Sequence, residues 1–198
     1  VDVGPFARLR PPAQREERRY KRVVAAVEER LVRRRGLNRP AVQRARHVQV
    51  AAHREIDLPF ADLPTREQFV REASLTEKKD RYVALRAKFV LDQIAKKGSM
   101  AGSYPYPVQV WQLGPDLTWV TLGGEVVVDY SLRLKKELGQ GRTWVAGYSN
   151  DVMAYIPSLR VLKEGGYEGG GAMLYYGLPT VWGPRVEEAI VESVHELV

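Results

Sequence analysis

The chain has 198 residues, 44% of them hydrophobic, which is enough for one domain with a real core, or for a domain with an appendage. It has no cysteine, so disulfides and thiolate metal sites are excluded, and it has no apolar run near the length a membrane span needs. The net charge of +7 is uneven: residues 1–54 hold 15 Arg and Lys against 5 Asp and Glu, and residues 55–198 are net −3.

In chain order, residues 1–13 carry three prolines and a glycine and read as an extended arm. Over 14–35, Tyr20, Val23, Val24, Val27 and Leu31 recur at helical spacing among arginines, and Gly36 is a natural stop. This basic arm and helix, 1–45, is set apart from 46–198. A basic helix can contact phosphates, but Glu16, Glu17, Glu28 and Glu29 are interleaved, which favours a solvated face over nucleic-acid binding.

The run 47–58 alternates, with Val48, Val50, Ala52, Ile56 and Leu58 on one face, and predicts a half-buried strand. Thr65 and Gln68 have capping-box spacing and predict a helix from Arg66. Tyr82, Leu85, Phe89 and Ile94 mark a second helix ending near Gly98. SYPYP (103–107) reads as a loop, and VQVWQL (108–113) and LTWVTL (117–122) as strands. A helix over 126–138, opened by Glu125 and closed by Gly139, comes next. A strand over 143–148 and a short helix capped by Ser158 follow. The last helix has Pro184 in its first turn and Val186, Ala189, Ile190, Val194 and Leu197 as its stripe. Alternating strands and helices predict an α/β fold, a mixed sheet with flanking helices.

Two loops follow apolar strands, where ligands gather in open α/β sheets: Gly123-Gly124-Glu125, and Ser149-Asn150. Glu125 there reads as a helix-start residue favoured by the dipole, or as a site carboxylate. The stretch 147–177 holds seven glycines and five tyrosines, Tyr148, Tyr155, Tyr167, Tyr175 and Tyr176. These read as core-edge residues whose hydroxyls find partners, or as site phenols. His47, His53 and His195 have no metal-pair spacing, and there is no nucleophile elbow, phosphate loop or EF-hand loop.

The motifs LGGEVVVDYSLRLKKEL, AGYSNDVMAYIPS and EGGYEGGGAMLYYG, in that order and spacing, resemble the neutral/alkaline (non-lysosomal) ceramidase family, in particular its bacterial ceramidase-like members. IDLPFADLPTREQF and SYPYPVQVWQLG extend the likeness from about residue 46 to the C-terminus. The resemblance implies a zinc centre of two histidines, a glutamate and a tyrosine. It puts the glutamate of a P-G-E motif at Glu125, with Gly123 in place of the proline, and the tyrosine ligand at Tyr155, five residues beyond Asn150. A second tyrosine, preceding a glutamate, helps stabilise the oxyanion and falls at Tyr167. The implied reaction is hydrolysis of N-acyl sphingosine, or a related amide, to a fatty acid and an amine. The family is often exported, which implies an exported or periplasmic protein, although no signal-peptide pattern follows Val1.

The family's two histidines and a serine belong to a preceding half-domain that has no counterpart in this sequence, and they are not carried onto His47 or His53. Two oxygen donors alone hold zinc poorly. The expectation is therefore the C-terminal portion of a catalytic domain, incomplete by itself. Zinc would be bound only when histidines come from the N-terminal half or another chain. A partner or a homo-oligomer would cover the surface left open. The competing expectations are a non-catalytic binding or structural module that keeps the fold and, third, a basic nucleic-acid-binding protein.

Overall fold

A computed structural model describes residues 48–198, the side chains of 48–50 excepted. The arm and helix expected over 1–45, and His47, lie outside the described residues.

Among the described residues the main sheet has four strands, in the order β1 (Val48–Pro59), β2 (Ser103–Leu113), β3 (Leu117–Leu122), β5 (Thr143–Ala146). The first three pair antiparallel and β5 runs parallel to β3, so the sheet is mixed. Helices flank it, and the fold is α/β as expected. β1 forms where apolar and polar residues alternate: Leu58 is buried and Ile56 half-buried, while Glu55 and Asp57 are exposed.

The loop expected at SYPYP is instead the first part of β2. Pro105 and Pro107 lie opposite Asp57 and Glu55 of β1, but β3 pairs only with Val108–Leu113. One edge of the proline stretch therefore needs no backbone donor, which is where a strand tolerates proline. The payoff is alternation that continues from Val108 and Val110 back to Tyr106, and all three are buried.

α1 (Arg66–Ala73) opens with the expected capping box: the Thr65 N–H donates to Gln68 Oε1 at 2.5 Å, and the Gln68 N–H to Thr65 Oγ1 at 3.3 Å. α2 (Arg81–Lys97) ends on Gly98, whose φ of 81° gives the left-handed cap. Its inward face is small, with Ala84, Ala87 and Val90 buried and Phe69 of α1 clustered with Ala87 and Val90. The larger stripe of Tyr82, Leu85 and Phe89 faces outward and is about half exposed.

The chain from β3 to the next helix departs from expectation. Glu125 does not open a helix. Glu125–Val126 form a short strand, β4, parallel to β6 (Tyr155–Ile156), and α3 (Val128–Leu138) begins after Val127. The Glu125 and Val127 N–H groups donate to Ala154 O at 2.9 Å and Ile156 O at 3.2 Å. Three successive valines, which favour extended backbone, help this pairing win over an earlier helix start.

α4 (Leu159–Glu164) is capped by Ser158, whose Oγ accepts from the Val161 N–H at 3.2 Å. A short turn of helix, α5 (Gly166–Gly169), follows, and α6 (Val186–Leu197) lays Val186, Ile190, Val191 and Val194 into the main core. Arg133 of α3 ties that helix to Glu187 and Glu188 of α6 at 2.9 and 3.0 Å. No helix among the described residues is long and apolar enough to cross a membrane.

Candidate functional site

The site is built where β4 and β6 meet. Gly124 turns the chain with φ of 66°, a value that disfavours any side chain, and a Cβ there would lie 2.7 Å from Ala154 O and from Ile156 Cγ1. This close approach places Glu125 directly opposite Tyr155 in the parallel bridge. Both residues are partly exposed at the end of the core, and the Glu125 carboxylate is near enough to raise the Tyr155 phenol above its ordinary value. Tyr148, just beyond β5, has its phenol within electrostatic reach of the same carboxylate.

Three buried or half-buried phenols hold the scaffold underneath. The Tyr106 hydroxyl donates to Gly123 O at 2.8 Å, Tyr130 to Pro157 O at 3.0 Å and Tyr104 to Asp151 Oδ2 at 2.7 Å. Burial pushes all three well above the ordinary phenol range, and the Asp151 carboxylate adds to the effect on Tyr104, so they stay protonated and keep the proton each donates. Asp151 closes the circuit, its carbonyl accepting from the Gly124 N–H at 2.8 Å. The Trp182 indole N–H donates to Tyr155 O at 2.9 Å.

The exposed tyrosines form a chain of rings. Tyr155 meets Tyr167 edge-on at 5.5 Å, Tyr167 meets Tyr175 at 6.0 Å, and Tyr175 meets Tyr82 of α2 at 4.9 Å. Tyr167 is carried by α5 among glycines that the packing requires: a Cβ on Gly169 would fall 2.5 Å from Val161 O, and one on Gly170 2.4 Å from Val181 Cγ1.

The structure thus brings Glu125, Tyr155 and Tyr167 together. It adds Tyr148, with Tyr176 near enough to act on it electrostatically. Tyr104 and Tyr106 lie in the proline stretch expected as a loop; the signal that finds them is the two-residue alternation running back from Val108. The two histidines among the described residues are elsewhere: His53 is exposed on β1 opposite Gln109, and His195 bonds Glu137 at 2.7 Å.

The Glu125 carboxylate is the main reason both phenols titrate high: Tyr148 is pushed up to about 12, and Tyr155 is raised in the same direction, with Glu168 adding a little. A phenol beside a carboxylate meets a like charge when it ionises. The contact therefore contributes its full stability below the unfolded phenol value of about 10 and loses it as pH rises through the folded one. Glu125→Gln is expected to return both phenols toward about 10. Tyrosine ring ¹³Cζ shifts followed against pH would show this, and unchanged titrations would refute the contact.

Zinc asks for about four ligands, commonly nitrogen or sulfur with some oxygen. Glu125 and Tyr155 fit as two oxygen donors of such a set. Among the described residues, no group of three or more His, Cys, Asp or Glu converges to complete it. In this chain alone Tyr155 is held protonated, the reverse of a metal ligand's state; a dication between the two oxygens would favour the phenolate.

No protein-family model matches the sequence, and no curated protein matches it. Among solved structures, one described as a ceramidase complexed with C2 is similar at a TM-score of 0.32 and 22% identity, covering 46% of this chain. The shared part is 14% of that ceramidase's own chain.

Proposed function

We propose that this chain supplies part of the active site of a ceramidase-like, zinc-dependent amide hydrolase. The observation that carries the reading is the pairing of Glu125 with Tyr155. The two residues singled out as ligands from separate motifs lie opposite each other across the β4–β6 bridge. Tyr167, the third residue singled out, packs its ring on Tyr155.

In this reading Glu125 and Tyr155 are two of the zinc ligands, and histidines from an N-terminal half-domain or another chain complete the set. Bound zinc would supply a nucleophilic water near neutral pH and polarise the amide carbonyl of an N-acyl sphingosine or related lipid-like amide. Tyr167 would donate its hydroxyl proton in a hydrogen bond to the developing oxyanion, worth about 3 kcal/mol in a preorganised, dry site. Tyr167 is 49% exposed here, so that dryness has to come from the segment that completes the site. The half-exposed face of Tyr82, Leu85 and Phe89, joined to the site through Tyr175, gives such a partner an apolar surface to cover.

The test is zinc content by elemental mass spectrometry, on material isolated without chelator, with intact masses of all chains present. About one zinc per chain is expected only when the completing segment is there. Glu125→Ala and Tyr155→Phe should each weaken zinc binding at least about tenfold. Full zinc in both variants would remove the proposed ligands; no zinc with a completing partner present would remove the reading.

A further inference from the structure

We infer that Tyr104 is a positioning residue for the Glu125–Tyr155 pair: its hydroxyl anchors Asp151, and with it the segment that leads into β6, against the strand that bears Glu125. The inference rests on the reading of Glu125 and Tyr155 as site residues.

β4 and β6 form a two-stranded sheet of their own with only two residue pairs, too little to hold its place without outside anchors. β2 supplies one anchor for each strand. Tyr104 and Tyr106 lie two residues apart and so share a face of β2. The Tyr106 hydroxyl donates to Gly123 O at 2.8 Å, two residues before Glu125. The Tyr104 hydroxyl donates to Asp151 Oδ2 at 2.7 Å, four residues before Tyr155. Asp151 passes the hold onward. Its Oδ1 accepts from the Val152 N–H at 2.7 Å, and its carbonyl accepts from the Gly124 N–H at 2.8 Å. The Glu125 N–H then donates to Ala154 O at 2.9 Å, so the segment from Asp151 to Ala154 is stitched to the Glu125 strand at both ends.

The two anchors differ in kind. Tyr106 is fully buried, and its bond satisfies a hydroxyl that the core would otherwise leave unpaired. Tyr104 is only half-buried, and its ring is already held edge-on to Trp182 at 6.3 Å. Neither packing nor burial therefore requires its bond to Asp151. What the bond does is fix where Asp151 stands, through a charge-assisted contact stronger than a neutral one.

The experiment measures amide hydrogen exchange on the full chain without added metal. Tyr104→Phe keeps the ring beside Trp182 and removes only the hydroxyl. It should speed exchange at the Gly124 and Glu125 amides about tenfold, the scale of losing one hydrogen bond to a charged group. The β2–β3 amides should stay within about twofold of the wild type. Asp151→Ala should reproduce this pattern. Asp151→Asn should stay within about threefold of the wild type, because an amide still bonds the phenol and still accepts from the Val152 N–H. Wild-type exchange in Tyr104→Phe overturns the inference, as does exchange that quickens equally throughout the sheet. Asp151→Asn exchanging as fast as Asp151→Ala overturns it too. None of these readouts involves zinc, so a failed zinc experiment and a failed anchor remain distinguishable.

Discussion

Gly124→Ala is expected to destabilise the fold by about 2–4 kcal/mol and to open the site before the sheet. The cost has two sources. Alanine at a φ of 66° carries a left-handed penalty of about 1–2 kcal/mol. Its methyl group would also fall 2.7 Å from Ala154 O, a backbone atom with little freedom to retreat, and 2.7 Å from Ile156 Cγ1. Relief comes most cheaply from parting β4 from β6, which share only the Glu125–Tyr155 and Val126–Ile156 pairs. Hydrogen exchange should therefore quicken most at the Glu125 and Val127 amides, which donate to Ala154 and Ile156, while the β2–β3 amides change less. Urea unfolding gives the global figure. A variant with wild-type stability and wild-type protection at those amides would show that the turn relaxes freely and that Gly124 is not what presses Glu125 against Tyr155.

The same strand pair shows where the sequence is readable and where it is not. Elements set by a local pattern are legible: the Thr65–Gln68 capping box, the Ser158 cap, the Gly98 stop and the valine-rich inner face of α6 all depend on neighbours within a few residues. Elements set by a distant partner are not. Glu125–Val126 is a strand only because Tyr155–Ile156 offers carbonyls to it, so a reading limited to neighbours turns Glu125 into a helix start. SYPYP is a strand because β1 pairs with it on one side and β3 stops short on the other. α2 shows the converse error of weight: its large residues mark the helix by spacing, yet the small ones face inward, because periodicity fixes a face and not which face is covered. At the site, Glu125, Tyr155 and Tyr167 were singled out through resemblance, and the structure brings them together. Tyr148 carried no such signal. Its placement beside β4 follows from a backbone angle and from the closeness of Gly147 to that strand, neither of which a linear pattern encodes.

Trp182→Ala should cost about 3–5 kcal/mol, the range for removing a large, fully buried aromatic side chain. Trp182 is 1% exposed, stacks on Phe60 at 5.1 Å and meets Tyr104 edge-on at 6.3 Å. Those contacts join the end of β1, the proline stretch of β2 and β6 in one packing unit, and Tyr104 passes the link on to Asp151. The indole N–H has a separate task, donating to Tyr155 O from beneath the site. Trp182→Phe separates the two: most of the ring packing survives, but the Tyr155 carbonyl loses its indole donor. The phenylalanine variant should lose about 1–3 kcal/mol, smaller than the alanine loss, combining the lost hydrogen bond with imperfect filling. If thermal unfolding of the two variants shows this order, burial at Trp182 dominates and the bond to β6 is the minor part. If the phenylalanine variant falls as far as alanine, the hydrogen bond to Tyr155 governs, and the position of Tyr155 depends on a single indole proton rather than on the packed layer below it.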